Sequence, residues 1–596
     1  MAEFLSEDKI KTTMTLRQML AGLWPFAKRN PVLLTASALS VVGVGITSRL
    51  LPNLIGRAVD LGIQNGRLQV VREIALWFLG VEILHTFLMF QSQFLFNWFG
   101  NRMLTHLRAE LLNHTQHLPL DYFNRTPLGR TVTRLTNDTA TLGEVFTDGL
   151  ISLIEAGIIL LSIVIAMLLI SWKLTLVTLI SAPVFLYAAF KITESIRLIL
   201  RDSKTKLSVL NSYVAENLNG IKVIQIFART GRNHGRFLQL SREYRDVALD
   251  SIKSYAKMQP IMNIFNGVTI TAALYYGGYL GHEGWLPLGA MVAFLMHTQD
   301  VIHPLRDMLE KFQQFQNSLT SAERVFQLFD EKEENTATGL EIQTPRGDLH
   351  FEHVRFRYAP ELPWVLEDFD LQIQAGQSVA IVGRTGSGKS TLIALLQRFY
   401  DLQGPDNGRI LLDQVPLEQL SRRALRRTIG VVQQDNFIFR GTVRDNLHLG
   451  DTSVTDEQLW QALRAVGSPA WLERAGRNLD TWVEEKGANL SVGERQLIAF
   501  ARILVFSPPL LVLDEATANI DSESELLIQQ ATQKIIQGRT SIIIAHRLST
   551  IRECNLIVVL DQGRIREKGT HAELLRHNGQ YAHLAEAGVK FTATEA

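Results

Sequence analysis

Apolar positions gather into six long blocks over the first three hundred residues, then break into short runs separated by helical patterns. The blocks span Pro31–Ile55, Ile74–Phe99, Gly149–Trp172, Leu174–Phe190, Met258–Leu280 and Trp285–Leu305. Most reach the roughly 20 residues that a bilayer-spanning helix needs. The fourth is short, and the sixth carries His297, Asp300 and His303. Ahead of them, "MTLRQMLAGLWPFAKR" sets Leu16, Leu20, Leu23 and Ala27 on one helical face, with Trp24 and Phe26 alongside. This predicts an interfacial helix lying on the membrane. Between the blocks, Asn101–Asp148 and Lys191–Lys257 are long but helically patterned, which predicts membrane helices that continue into the cytoplasm.

"FDEKEENTATGLEIQTPRGD" (Phe329–Asp348) is polar and weakly periodic, as a linker is. Beyond it lie strand-like runs such as "SVAIVG", "TIGVVQQ", "LLVLDEA" and "TSIIIAHR". Helical patterns separate several of them, predicting an α/β domain with a largely parallel sheet. The expected organisation is an N-terminal helix (1–30), an α-helical membrane domain of six spans (31–328), a linker (329–344), an α/β domain (345–586) and a tail (587–596).

Charge orients this plan. Lys191–Lys257 holds 13 Lys/Arg against 6 Asp/Glu, whereas the loop before Leu174 has little more than Lys173. Basic loops stay inside, so the N-terminus, both long loops and the α/β domain are expected in the cytoplasm of a cell that carries the chain in its inner membrane. A net charge of +1 gives no reason to expect nucleic acid. The single cysteine, Cys554, excludes an intrachain disulfide, and the first thirty residues lack a signal-peptide pattern.

The chemistry starts at "SVAIVGRTGSGKSTLIALLQRFY", a strand, a glycine-rich loop and a helix. Gly383, Gly386 and Gly388 let backbone N–H groups wrap phosphate oxygens, and Lys389 reaches the β- and γ-phosphates. The Ser390 hydroxyl is a candidate Mg²⁺ ligand, and Thr391 a neighbouring donor. In "LLVLDEATANID", Asp514 at a strand end suits Mg²⁺, and Glu515 can polarise an attacking water. His546, ending "TSIIIAH", is a candidate γ-phosphate contact.

With these motifs in order, the chain resembles a half-transporter of the ABC exporter superfamily over nearly its whole length. The resemblance implies ATP and Mg²⁺ as ligands. "GRTGSGKST" resembles Walker A, adding Arg384, Thr385 and Ser387 to the phosphate loop. Tyr358 in "RFRY" resembles the adenine-stacking aromatic. "VVQQDNFIF" resembles the Q-loop, with Gln434 favoured over Gln433 for Mg²⁺ and coupling. "ANID", ending at Asp521, is similar to the D-loop, and His546 to the switch histidine. "TWVEEKG" is similar to an exporter-specific segment that touches the membrane part. Leu120–Asp138 and Glu216–Phe227 resemble the two coupling regions.

"LSVGE" (Leu490–Glu494) resembles the signature motif, which in this family holds the nucleotide bound by the opposite chain through residues such as Ser491 and Gly493. It departs from L-S-G-G-Q at Val492 and Glu494. Glu494 favours its own helix start by about 0.3–1 kcal/mol. Against a phosphate charge about 8 Å away, its repulsion would be roughly 2 kcal/mol at an effective dielectric of 20. Similar asymmetry marks bacterial heterodimeric multidrug exporters, so the expected partner is a second, different half-transporter, with a homodimer as the alternative. The expected function is ATP-driven export of a hydrophobic or amphipathic drug or lipid by alternating access; an ATP-gated channel or regulator is the alternative of another class. Glu82, His85, Glu155 and Asp300 are candidates to line the translocation cavity.

Overall fold

A computed structural model describes residues 14–144, 150–402, 404–434, 436–467, 476–515, 522–545 and 548–586. The chain divides into two compact units, one of residues 1–116 and 126–332, the other of 117–125 and 333–596.

The first unit is helical. Its long helices are Pro31–Arg57, Leu68–Gln116, Leu150–Ile170, Trp172–Asn219 and Thr230–His282, followed by Leu288–Asp300 and Ile302–Asp330. Among the described residues the apolar blocks fall on these helices, save Ser171 and Val301, each between two of them, and Trp285, Leu286 and Pro287 before Leu288–Asp300. Among the described residues, three stretches are long and apolar enough to cross a membrane: Pro31–Ile63, Leu68–Gln116 and Ser152–Ile170. Leu68–Gln116 has 49 residues, about 74 Å at 1.5 Å per residue, against a hydrocarbon core of about 30 Å. Such a helix must leave the bilayer, so the first part of the long segment after Phe99 continues the helix that begins at Leu68.

Small residues let these helices meet. A Cβ on Gly289 would lie 1.9 Å from the carbonyl oxygen of Gly56, so Pro31–Arg57 and Leu288–Asp300 approach at a pair of glycines. Asp60 accepts the Gly289 N–H at 2.6 Å, satisfying one donor of the second helix's first turn. Farther along, buried Asp138 accepts from Ser321 at 2.9 Å and faces Arg324 at 3.7 Å. The segment around Asp138 is thereby tied to the last long helix.

The N-terminal helix, Leu16–Ala27, starts at a Thr15–Gln18 capping box. It buries Met19, Leu23, Phe26 and Ala27, while Leu16 and Trp24 stay exposed. Of the expected face of Leu16, Leu20, Leu23 and Ala27, Leu23 and Ala27 are buried, Leu20 is half-buried and Leu16 is exposed, so the buried face is turned toward Met19 and Phe26. Phe326 lies against Gly22, and Phe329 lies 6.4 Å from the Phe26 ring, so helix Ile302–Asp330 covers that side.

The second unit is built on a six-stranded sheet. Its order is Arg564–Gly569, Leu556–Asp561, Ser378–Val382, Thr540–Ala545, Leu510–Glu515 and Ile429–Val432. All pairings are parallel except the first. Ser378–Val382 is buried at every position, which explains its unbroken apolar run; a half-exposed strand would alternate. A second, antiparallel sheet holds Leu349–Phe356 between Leu366–Ile373 and Arg409–Leu412.

The polar stretch read as a linker is anchored within this unit. Glu334 receives two hydrogen bonds from Arg426, at 2.6 and 2.7 Å, and Arg422 lies 3.3 Å away. Leu340 pairs by backbone with Gln419 and Ser421. Glu334 is only 10% exposed, so removing it strands two guanidinium groups. Glu334→Ala should cost about 2 kcal/mol, discounted from the full buried-pair value because Arg426 is partly solvated, and lower the apparent Tm of the detergent-solubilised protein by several degrees.

Candidate functional site

The P-loop follows from the sheet. Ser378–Val382 ends where helix Lys389–Leu396 begins, and Gly388, at φ +107°, is that helix's N-cap. Gly386 also has positive φ, +83°, a conformation that costs glycine nothing. A Cβ on Gly383 would sit 2.2 Å from the carbonyl oxygen of Leu560, so no larger residue fits. Ser387, Gly388, Lys389 and Thr391 are buried, whereas Arg384, Thr385, Gly386 and Ser390 face solvent.

Lys389 folds its ammonium over the loop, donating to the carbonyls of Gly383 and Arg384, each at 2.8 Å. Burial lowers its pKa from the ordinary lysine value, and the charge of Asp514 opposes that shift. The loop fits a triphosphate on three counts. It has glycines where a side chain would intrude, an ammonium across its mouth, and first-turn N–H groups with no intrahelical acceptor. The exposed Ser390 hydroxyl, the Asp514 carboxylate and exposed Gln434 are the groups that would hold a cation beside it.

An aromatic cluster lies beside the phosphate loop. Tyr358 shares a hydrogen bond with Thr391 at 3.0 Å and meets Phe356 and Tyr400 edge-on at 5.1 and 5.0 Å. Asn124, on the short helix Leu120–Arg125, donates to the Tyr400 hydroxyl at 2.7 Å. That helix groups with the second unit, where it meets the aromatic cluster of Tyr400 and Tyr358. Nothing in the local sequence marked Asn124 or Tyr400; their contact is tertiary.

Asp514 and Glu515 end their strand, with Asp514 level with Ile544 and Glu515 with Ala545. Asp521 and His546 lie outside the described residues.

The signature helix, Val492–Phe506, begins at Ser491 with a full capping box. The Ser491 hydroxyl accepts the Glu494 N–H at 3.1 Å, and the Glu494 carboxylate accepts the Ser491 N–H at 2.8 Å. Gly493 is buried and Val492 is 46% exposed. Arg477 donates to the other carboxylate oxygen of Glu494 at 3.3 Å. Reading Glu494 as an uncompensated charge overlooked this partner, which is seventeen residues away and carries no motif. Arg502 on the same helix donates to the carbonyl of Phe437 and to the Asn446 side chain, both at 2.8 Å. Burial lowers its pKa to about 10.

In the helical unit, Glu82, His85, Glu155 and Asp300 all line one cavity of about 700 Å³. Arg49 lines it too, pairing with Asp300 at 3.3 Å and with the His297 ring at 3.3 Å. The sequence signal for Arg49 was present: it is the only charged residue in the first apolar block. Val44, Ile55, Phe78 and Met296 supply apolar wall.

A phosphate cradle on an α/β unit, joined to helices long enough to cross and leave a bilayer, defines a membrane-coupled P-loop ATPase. Residues 34–304 match the ABC transporter transmembrane region, and residues 366–518 the ABC transporter ATPase domain. The chain is 34% identical to a protein of Bacillus subtilis named as a probable multidrug resistance ABC transporter ATP-binding/permease protein, YheH, over 85% of this chain and 75% of that one. It is 31% identical to the ATP-dependent lipid A-core flippase of Chromobacterium violaceum, over 97% and 98%. Among solved structures, a bacterial Atm1-family ABC exporter with ATP bound superposes at a TM-score of 0.77, with 26% identity over 95% of this chain and 99% of that one. The chain belongs to the ABC transporter family, as a multi-pass membrane protein of the exporter type that couples ATP hydrolysis to transport.

The phosphate loop carries its own test. Gly383→Ala pushes a methyl group into the Leu560 carbonyl, so ATP affinity should fall at least tenfold, measured by titrating a fluorescent ATP analogue.

Proposed function

We propose that the chain is one half of a heterodimeric exporter of hydrophobic or amphipathic compounds, drugs or lipids, with six spans and with its N-terminus and ATPase domain in the cytoplasm of the inner membrane. The observation that carries the heterodimer is the pairing, on one chain, of a full phosphate cradle with an altered signature. The cradle at Gly383–Thr391 would serve a nucleotide whose site is completed by the partner's signature. "LSVGE" would close over the partner's nucleotide.

Each residue has a role in this reading. Lys389 and the loop N–H groups hold the phosphates, and Tyr358 stacks on the adenine. Ser390, Gln434 and Asp514 hold Mg²⁺, which would draw charge from the transferring phosphoryl group. Glu515 takes the proton of the attacking water, and His546 steadies the γ-phosphate. Asp521 lies at the facing surface between the two ATPase domains.

Coupling has candidate surfaces on both sides. Helix Ile221–Ile226 buries none of its residues and exposes Ile221, Val223 and Ile226. In the ATPase unit, Phe437, Phe439 and Trp482 are each more than half exposed. We assign these apolar faces to contacts across the dimer. The membrane cavity, with carboxylates and Arg49 set among apolar walls, supports an amphipathic cargo. The names of the multidrug and lipid A relatives agree with that class.

Isolation of the tagged chain at native expression in mild detergent should bring down a second, different half-transporter in equal amount. Recovery of this polypeptide alone, as an ATP-hydrolysing dimer, would replace the heterodimer with the homodimer. In either assembly Glu515→Gln should keep ATP binding and lower turnover by at least a hundredfold; near-normal phosphate release would remove Glu515 from its role.

A further inference from the structure

We propose that Arg477 is the counter-charge that keeps the altered signature competent toward the opposing nucleotide. It acts as a positioning residue, through Glu494. This inference rests on the reading that "LSVGE" faces the partner chain's ATP.

The argument begins with the carboxylate. A glutamate in the first turn of a helix stabilises that helix, but a nucleotide phosphate approaching the same turn meets a like charge. Here both oxygens of Glu494 are engaged. One accepts the Ser491 N–H at 2.8 Å and the other accepts from Arg477 at 3.3 Å. The cap turns the carboxylate back toward the start of its own helix, and the guanidinium offsets its charge. Each side chain is about three-quarters buried, at 27% and 22% exposure, so water screens the pair only partly.

Arg477 is itself held. Its second terminal nitrogen donates to the carbonyl of Asn489 at 3.4 Å. The Asn489 side chain in turn bonds the carbonyl of Trp482 and the N–H of Glu484. Asn489 therefore links the arginine to the Trp482–Glu484 segment. The Ser491 hydroxyl accepts from Glu494 N–H with its oxygen and keeps its own proton for a phosphate. A neutral glutamine at position 494 would need no such partner, whereas a glutamate does.

The test is a double-mutant cycle in the assembled transporter, reading apparent ATP affinity from ATP-driven closure of the ATPase domains and from KM. Arg477→Gln should weaken ATP about thirtyfold, the fold-change that corresponds to the repulsion expected for one unscreened charge. Arg477→Lys should restore most of the affinity, and Glu494→Gln should bind ATP at least as tightly as the parent. The decisive variant is the double, Arg477→Gln with Glu494→Gln, which should lie within twofold of Glu494→Gln alone. An equal loss from Arg477→Gln in both backgrounds would overturn the proposal, because the arginine would then reach the nucleotide or hold the fold without Glu494. An unchanged affinity in the single variant would overturn it too. Gly493→Asp separates the underlying reading: if closure survives it, the signature does not face a nucleotide, and if closure fails while Arg477 has no effect, only the counter-charge is lost.

Discussion

The parallel ladder through Ser378–Val382 is the constraint on which the site depends. Thr540–Ala545 pairs with it on one side and Leu556–Asp561 on the other, both parallel. Ile544 stands level with Ile381 in one strand and with Asp514 in another. One row of backbone hydrogen bonds thus sets the phosphate loop and the acidic strand end at the same edge. No side chain at that edge needs to find the other. Slipping Thr540–Ala545 along the ladder would separate Lys389 from Asp514, and the strand's burial on both faces opposes such a slip.

Legibility follows from the same physics. Strands buried on both faces read as continuous apolar runs, and "SVAIVG" and "LLVLDEA" are visible for that reason. The glycines of the phosphate loop are visible because backbone geometry demands them at fixed spacing. The long helices were readable from apolar blocks and from helical periodicity in the loops between them. Positions that work through tertiary contact were not readable. Asn124 reaches Tyr400 across 276 residues of chain, and Arg426 reaches Glu334 across 92. The N-terminal helix shows a finer limit: its pattern contains two overlapping apolar faces, and the neighbour Ile302–Asp330 selects the one through Met19.

Charge inside the helical unit is organised in the same tertiary way. Glu82, His85, Glu155 and Asp300 are scattered over 219 positions, yet one cavity collects them. A charged group in a membrane domain is tolerated where it is paired or where water reaches it. Arg49 meets the first condition through Asp300, while the cavity supplies the second. The same chemistry that makes these groups affordable in a bilayer makes them able to bind a polar headgroup.

The signature helix shows why a motif departure cannot be judged one residue at a time. Taken alone, glutamate at position 494 adds a negative charge where a phosphate is expected. Its carboxylate also completes a reciprocal cap with Ser491, a bond that glutamine can make equally well. The electrostatic difference between the two residues therefore falls on the surroundings. Arg477 lies where that difference is felt, on the oxygen that the cap leaves over. The departure and its partner form one unit, and in the proposed assembly it is the pair, not Glu494 alone, that faces the opposing nucleotide.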